Sequence, residues 1–413
     1  MTKPLQGLKV VDLTTFLATP TTGRVLGEWG ADVIKVEAAK GDPGRVNQAV
    51  VFGMPSSDDE NLGFDMANFH KRFVSLNLKS DTGIEVMMKL LSQADIFITN
   101  MRTKSLAKMG LDWESLHAKF PRLIVGQGLG YGKKGAEKDN AGFDVTCYMG
   151  RGGVFGTTVN KGDAPMIPTN GYGDFQASMF LASGILAAVI GREKTGQGDY
   201  VTCALEHAAI YALSTGMVSA QYGNPYPKSR REVNNPLNNV FRSKDDKWVV
   251  LCLPEYDRDW PKVMHLIHRE DLAQHPDYSV CQTVNDKKLA GEVTDILDAG
   301  FAQFDRSDLL KMFGENDMPC EPAQTPMDVY EDQNALVNDY LVQVPYPNGG
   351  KWCPTAPVQF EILDTDPLKP TERLGSSTIE VMKELGYSKE QIDSALSDGS
   401  VKDATDLAVL QGK

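Results

Sequence analysis

Asp174 stands in the run Asn170-Gly171-Tyr172-Gly173-Asp174-Phe175-Gln176, directly ahead of a long apolar stretch. Two readings of that placement are open. Asp is a preferred helix N-cap, because its short side chain accepts backbone N–H groups that the first turn leaves unpaired, and glycines before a helix are common. A carboxylate at a helix N-terminus, with glycines nearby that let a ligand approach, is equally well placed for attack on an activated acyl group, with which it forms an anhydride. The segment from Asp174 to Gly191 is apolar almost all round, through Met179, Phe180, Leu181, Ile185, Leu186, Val189 and Ile190. That pattern predicts a buried helix.

Other chemistries find less support. The six cysteines, at 147, 203, 252, 281, 320 and 353, form no C-x-x-C pair, and the six histidines are dispersed, with only His265 and His268 three apart. Neither a metal site nor a redox dithiol is expected. A dinucleotide fingerprint would place G-x-G-x-x-G between the first strand and its helix, where Leu13 to Gly27 carries glycines only at 23 and 27. The run Gly126-Gln127-Gly128-Leu129-Gly130-Tyr131-Gly132 has Tyr131 where the third glycine belongs, and reads as a loop, either a plain turn or one that a ligand crosses closely. The formal net charge of −13 opposes nucleic acid or an anionic membrane as main partner. Without a charged and then apolar start, or an uninterrupted apolar run near 18 residues, a cytoplasmic location is expected.

The elements that must position Asp174 follow an α/β pattern. Short apolar runs at Leu8 to Leu13, Asp32 to Glu37, Phe73 to Leu78, Asp95 to Thr99 and Arg122 to Val125 alternate with helical patterns at Pro20 to Trp29, 81–93 and 112–119. This is the signature of βαβ units in a parallel, Rossmann-like sheet. A strand at Tyr200 to Ala204 and a helix over 205–220 follow, and Gly223-Asn224-Pro225-Tyr226-Pro227 marks a boundary. The expected division is a large domain over 1–222, a small α/β domain over 223–318 and a returning segment over 319–413. The small domain holds a strand at Asp246 to Leu253 and helices near 258–268, 286–303 and 307–313. The returning segment holds a helix near 327–340, a strand at 340–345 and helices near 376–385 and 389–397.

Taken in order, these runs resemble a known family. Gly7-Leu8-Lys9-Val10-Val11-Asp12-Leu13, then Leu26-Gly27-Glu28-Trp29-Gly30-Ala31-Asp32-Val33-Ile34-Lys35-Val36-Glu37, Gly41-Asp42-Pro43, Lys71-Arg72, Leu76-Asn77-Leu78-Lys79, Met109-Gly110-Leu111, Gly171 to Asp174 and Thr195-Gly196-Gln197-Gly198 are similar to the signature of class III coenzyme A transferases of the CaiB/BaiF type. The resemblance implies Asp174 as the catalytic carboxylate, attacking an acyl-CoA and passing through a mixed anhydride and an aspartyl-CoA thioester, with no metal. It implies Leu76, Lys79, Asn100, Lys108 and Met109 on the CoA path and Phe16 and Ala18 near the reacting end, with Lys108 standing where relatives can carry Arg. It also implies two chains interlocked as rings, with acyl-CoA and small carboxylic acids as the partners.

Within that family, Gly150-Arg151-Gly152-Gly153-Val154-Phe155-Gly156 and Tyr172 to Ala177 look most like the transferases for 2-hydroxy acids of amino-acid fermentation, such as leucine degradation, acting on (R)-2-hydroxyisocaproate or (R)-phenyllactate. Gly142-Phe143-Asp144 departs from the related 2-methylacyl-CoA racemases, which carry a His as a base where this chain has Phe143. Asp144 reads either as a partner near the site or as a turn or cap residue.

Overall fold

The computed structural model describes residues Thr2 to Gly412. The first half supplies β1 (Lys9–Leu13), helix α1 (Ala18–Glu28), β2 (Asp32–Glu37), β3 (Lys71–Leu76), β4 (Ile96–Thr99), β5 (Ile124–Leu129) and β6 (Tyr200–Ala204). Further on come β7 (Asn238–Arg242), β8 (Trp248–Cys252), β9 (Cys320–Pro322), β10 (Leu341–Val344), β11 (Lys351–Pro354) and β12 (Val401–Lys402). Seven of these form one sheet in the order β12-β3-β2-β1-β4-β5-β6, parallel except for β12, which runs antiparallel to β3 with Val401 opposite Leu76.

Alternation within the strands explains why both faces of this sheet are covered. Val11, Val36, Val74, Leu76 and Val125 enter one apolar cluster with Val86, Met87, Leu90, Val381 and Met382 from flanking helices. Val10, Val33, Ile96, Ile98 and Ile124 point the other way, onto Leu26 of α1 and Leu181 and Ile185 of the long helix Tyr172–Thr195. A parallel sheet requires such double cover. From β1 the chain winds outward first through β2 and β3, then in the opposite direction through β4, β5 and β6. The reversal opens a crevice at the carboxyl ends of β1 and β4, where ligands of such sheets bind.

Several expected elements shift. The strand expected at Arg122 to Val125 runs on to Leu129, so Gly126 and Gly128 are sheet residues rather than loop. Close approach is the reason: a Cβ on Gly126 would lie 2.6 Å from Ile185 Cδ1, and one on Gly128 would overlap Thr19 Oγ1. The helix expected over 205–220 is two, Leu205–Ala212 and Ser214–Ala220, and that near 327–340 is also two, Pro326–Val329 and Gln333–Val337. The expected 286–303 helix starts at Ala290, after a separate short helix at Cys281–Asp286.

The long helix is buried on one stripe only, through Gly173, Ala177, Ser178, Leu181, Ala182, Ile185 and Arg192, while Phe180 and Ile190 are exposed. In place of the expected all-round burial, its apolar outer face lies open in the single chain. By length and composition this helix could cross a membrane. Its inner stripe is a working part of the sheet's core.

The chain packs as two compact units, one of residues 1–154, 167–214 and 333–413, the other of 155–166 and 215–332. These edges differ from the expected ones after 222 and 318, because the helix at 214–220 and the segment up to 332 pack with the smaller unit. That unit has its own antiparallel sheet, β7-β8-β9, and its own core around Phe241, Trp260, Phe301 and Phe313.

Candidate active site

The loop from β1 into α1 carries Phe16 with φ 65°, a left-handed conformation uncommon for a residue with a side chain. Buried charge holds it there. Asp42 Oδ1 accepts the Phe16 N–H at 3.1 Å and the Gly44 N–H at 2.8 Å, while its other oxygen pairs with Lys35 Nζ at 3.0 Å. Lys35 Nζ also donates to the Thr14 carbonyl at 2.8 Å. Below it, Lys71 Nζ pairs with Asp12 at 2.8 Å and donates to the Pro20 carbonyl of α1 at 2.7 Å. Burial works against both ammonium groups. It brings Lys71 down to about 8, whereas the carboxylates of Asp42, Asp12 and Glu37 outweigh it and hold Lys35 above its ordinary value. Breaking such a pair costs more than the pair contributes, since the remaining charge is left buried and alone.

Across the crevice, Asn100 at the end of β4 clamps the same loop from the other side. Its Oδ1 accepts the Thr15 N–H at 3.0 Å, and its Nδ2 donates to the Thr15 carbonyl at 2.7 Å.

Asp174 is the third residue of the long helix, not its cap. Gly171 is the N-cap, with φ 81° and no side-chain acceptor of its own. The cap is supplied from elsewhere in the chain: Asp144 Oδ1 accepts the Gly173 N–H at 2.9 Å. Asp144 Oδ2 is buried and finds no hydrogen-bond partner among the described residues. Gly173 has no room for a side chain, because a Cβ there would overlap the Tyr148 ring, whose hydroxyl donates to Gln176 Oε1 at 2.7 Å. The first helical turn is thereby fixed on two sides. Burial, and next the nearby Asp144, push the Asp174 carboxyl up to about 7. Burial likewise raises Asp144, against the backbone N–H groups of Gly173, Gly171 and Tyr172. A carboxylate poised in this way is more basic than usual, and hence a better nucleophile once ionised.

A cavity of about 120 Å³ connects these pieces. Of the residues expected at a site, Phe16, Ala18, Asn100 and Asp174 line it together. Leu76, Lys79, Lys108 and Met109 do not. Leu76 is buried in the sheet core and the part-buried Met109 packs against that core, outside the lining of this cavity. Lys79 and Lys108 are exposed, one shortly after β3 and the other after the short helix Thr103–Ala107 that follows β4, toward the carboxyl edge of the sheet. Phe16 and Phe143 meet edge to face at 6.1 Å, both partly exposed, at the cavity rim. Cys203 also lines the cavity, its thiol pushed up to about 11 by burial.

Sequence reasoning left out Thr19 and the cap role of Asp144, and it left out a second cavity of about 450 Å³ that shares Leu129 with the first. Lys104, Lys133, Lys138 and Tyr200 line this second space, with Lys133 over the Tyr200 ring at 5.3 Å. The cluster Lys133-Lys134, followed by Lys138, was a legible signal in so acidic a chain.

A family model described as CoA-transferase family III matches residues 5–378. The chain belongs to that family. It is 39% identical over 404 residues to a cinnamoyl-CoA:phenyllactate CoA-transferase of Clostridium sporogenes, covering 97% of this chain and 98% of the relative. It is also 39% identical over 394 residues to an (R)-2-hydroxy-4-methylpentanoate CoA-transferase of Clostridioides difficile, covering 94% and 97%. Among solved structures, a CAIB/BAIF family protein from Brucella suis superposes with TM-score 0.79 at 26% identity, covering 93% of this chain and all of that one. The chain is therefore an enzyme of the CoA-transferase type, with CoA thioesters as substrates.

Proposed function

We propose that this enzyme moves CoA from an acyl-CoA to a 2-hydroxy carboxylic acid such as (R)-2-hydroxyisocaproate, through covalent intermediates on Asp174. The observation that carries this reading is the Asp174 carboxylate, raised to about 7 and fixed on a clamped helical turn inside a small cavity at the sheet's switch point. The ionised Asp174 attacks the thioester carbonyl, forming an aspartyl anhydride and releasing CoA thiolate. The thiolate attacks the aspartyl carbonyl, freeing the donor acid and leaving an aspartyl-CoA thioester. The acceptor carboxylate attacks that thioester, giving a second anhydride, which the thiolate resolves at the acceptor's carbonyl to regenerate Asp174. Every step exchanges one activated acyl group for another, so neither ATP nor a metal enters the balance. Phe16 and Phe143 at the rim would limit the access of water, which would hydrolyse either anhydride.

We place the CoA nucleotide along the carboxyl edge of the sheet, past Asn100, the backbone after Leu76, and Met109, with Lys79 and Lys108 beside it. Lys104, Lys133 and Lys138 outnumber Glu114 and Asp139 in the second cavity, and leave there the net positive charge that favours phosphates on an acidic protein. (R)-Phenyllactate is the alternative acceptor, in view of the Clostridium sporogenes relative. A 2-methylacyl-CoA racemase is disfavoured, because Phe143 offers no base at the rim of the cavity. We place the enzyme in the cytoplasm, where its six unpaired cysteines would stay reduced. We also propose that a second copy of the chain covers the exposed apolar face made by Phe180, Ile190, Ile210 and Tyr211, giving an interlocked homodimer. A stable folded monomer in sedimentation at micromolar concentration would rule that out.

Mass spectrometry after incubation with acyl-CoA tests the chemistry. An acyl or CoA adduct on the peptide bearing Asp174 is expected. Turnover with an adduct at another residue, or with none trapped under any quench, would overturn the assignment.

A further inference from the structure

Helix α1 carries three threonines. Thr21 Oγ1 donates to the Leu17 carbonyl at 2.8 Å, and Thr22 Oγ1 donates to the Ser178 carbonyl of the long helix at 3.1 Å. Thr19 is only 1% exposed and lines the cavity, and its hydroxyl makes neither of the two bonds that occupy Thr21 and Thr22. It lies over Gly128, at the place where a side chain of that residue would begin, and both residues line the cavity that holds Asp174. A hydroxyl at the wall of a cavity can both donate to and accept from a ligand there.

The remaining walls differ in chemistry. Asp174, Ala177 and Leu181 follow one another at helical spacing on the face of the long helix that lines the cavity, so an apolar stripe leads away from the carboxylate. Leu205 and Cys203 continue the apolar lining. An acid whose carboxyl carbon sits at Asp174 therefore meets an apolar wall on one side and the Thr19 hydroxyl on another.

We infer that Thr19 recognises the 2-hydroxyl of the substrate and is the residue that makes the enzyme specific for one enantiomer of a 2-hydroxy acid. This rests on the proposed transfer to 2-hydroxy acids. With the carboxyl held at Asp174, the hydroxyl at Thr19 and the side chain along Ala177 and Leu181, three of the four substituents of C2 have fixed partners, counting hydrogen as the fourth. The opposite enantiomer can satisfy only two of the three contacts. It must place either its hydroxyl on the apolar stripe or its side chain against Thr19. A site built to bond a substrate hydroxyl discriminates strongly against ligands that leave it unpaired.

The test compares the wild type with Thr19→Val, which keeps the branched shape and removes the hydroxyl, and with Thr19→Ser, which keeps the hydroxyl. Acetyl-CoA is the donor, and the acceptors are the two enantiomers of 2-hydroxy-4-methylpentanoate and 4-methylpentanoate itself. In Thr19→Val the kcat/KM ratio between the enantiomers, and that between the preferred enantiomer and 4-methylpentanoate, should each shrink about tenfold or more. Thr19→Ser should hold both ratios near those of the wild type. Unchanged ratios in Thr19→Val, or the same loss in Thr19→Ser, would overturn the assignment of Thr19 while leaving the transferase reading intact. A wild type that transfers CoA to 4-methylpentanoate but to neither hydroxy acid would instead overturn the reading beneath it, and the role of Thr19 with it. Should Thr19→Val not fold, the ratios measured for Thr19→Ser and Thr19→Ala decide between hydroxyl and packing.

Discussion

Replacing Asp174 with Asn should stabilise the protein at alkaline pH while abolishing its turnover. The carboxyl is raised from 3.8 to about 7 by burial and by Asp144. The folded chain thus retains a proton that the unfolded chain has already released. Stability falls as pH rises from near 4 through 7, and above pH 7 the full penalty stands. That rise in pKa corresponds to roughly 4 kcal/mol at pH 8 and to less than half of that at pH 5. The amide of the variant carries no charge and escapes this penalty. The cap is unaffected, because Gly171 occupies that position and Asp144 provides the acceptor. For a chain of 413 residues each kcal/mol moves the midpoint by roughly 1 °C, so Asp174→Asn should melt about 4 °C higher at pH 8, with a much smaller gain at pH 5. Differential scanning calorimetry at both pH values, beside a CoA-transfer assay, reads this directly. A lower melting temperature for the variant, or the same gain at both pH values, would refute the electrostatic reasoning. Retained turnover would refute the nucleophile.

Three further outcomes follow from the same geometry. Asp144→Asn keeps an acceptor for the Gly173 N–H but removes a charge that raises Asp174, so the lower inflection of the kcat/KM against pH profile should move below about 7; an unmoved inflection would show that Asp144 does not set it. Gly173→Ala should cost roughly 1–3 kcal/mol in denaturant titration and most of the activity, because the added methyl must displace the Tyr148 ring from the turn that carries Asp174. Asp42→Ala leaves Lys35 buried without its nearest carboxylate and Phe16 without its backbone acceptor, so a loss of roughly 3–5 kcal/mol is expected, with the soluble fraction binding acyl-CoA more weakly by calorimetry.

Much of the parallel sheet could be read from the chain, because β4 is a largely apolar run and β1 and β2 carry Val10-Val11 and Val33-Ile34, of the kind that sheets covered on both faces require. Asp174 stood out as a candidate in the chain, through its glycines and through the family resemblance, and it lines the cavity. Its exact place was not legible, since Gly173 has weak helix propensity yet lies inside the helix, where the Tyr148 ring leaves no room for a side chain. Gly126 and Gly128 misled for a related reason. Local preference makes them a loop, whereas the approach of Ile185 and Thr19 makes them a strand. The pairing of Asp144 with Gly173 spans 29 residues and leaves no periodic trace. The place of Thr19 at the cavity wall depends on its approach to Gly128, which no spacing encodes.

The antiparallel strand β12 has a consequence for biosynthesis. It closes the outer edge of β3 with residues 401 and 402, although β3 itself ends at Leu76. On the ribosome, at the usual pace of elongation, that edge must wait on the order of tens of seconds for its cover. Throughout that interval a nascent chain displays an unsatisfied strand border beside a nearly finished sheet, open to pairing with a neighbour on the same message. A stretch made long after β3 is therefore the one that ends this edge's exposure to aggregation.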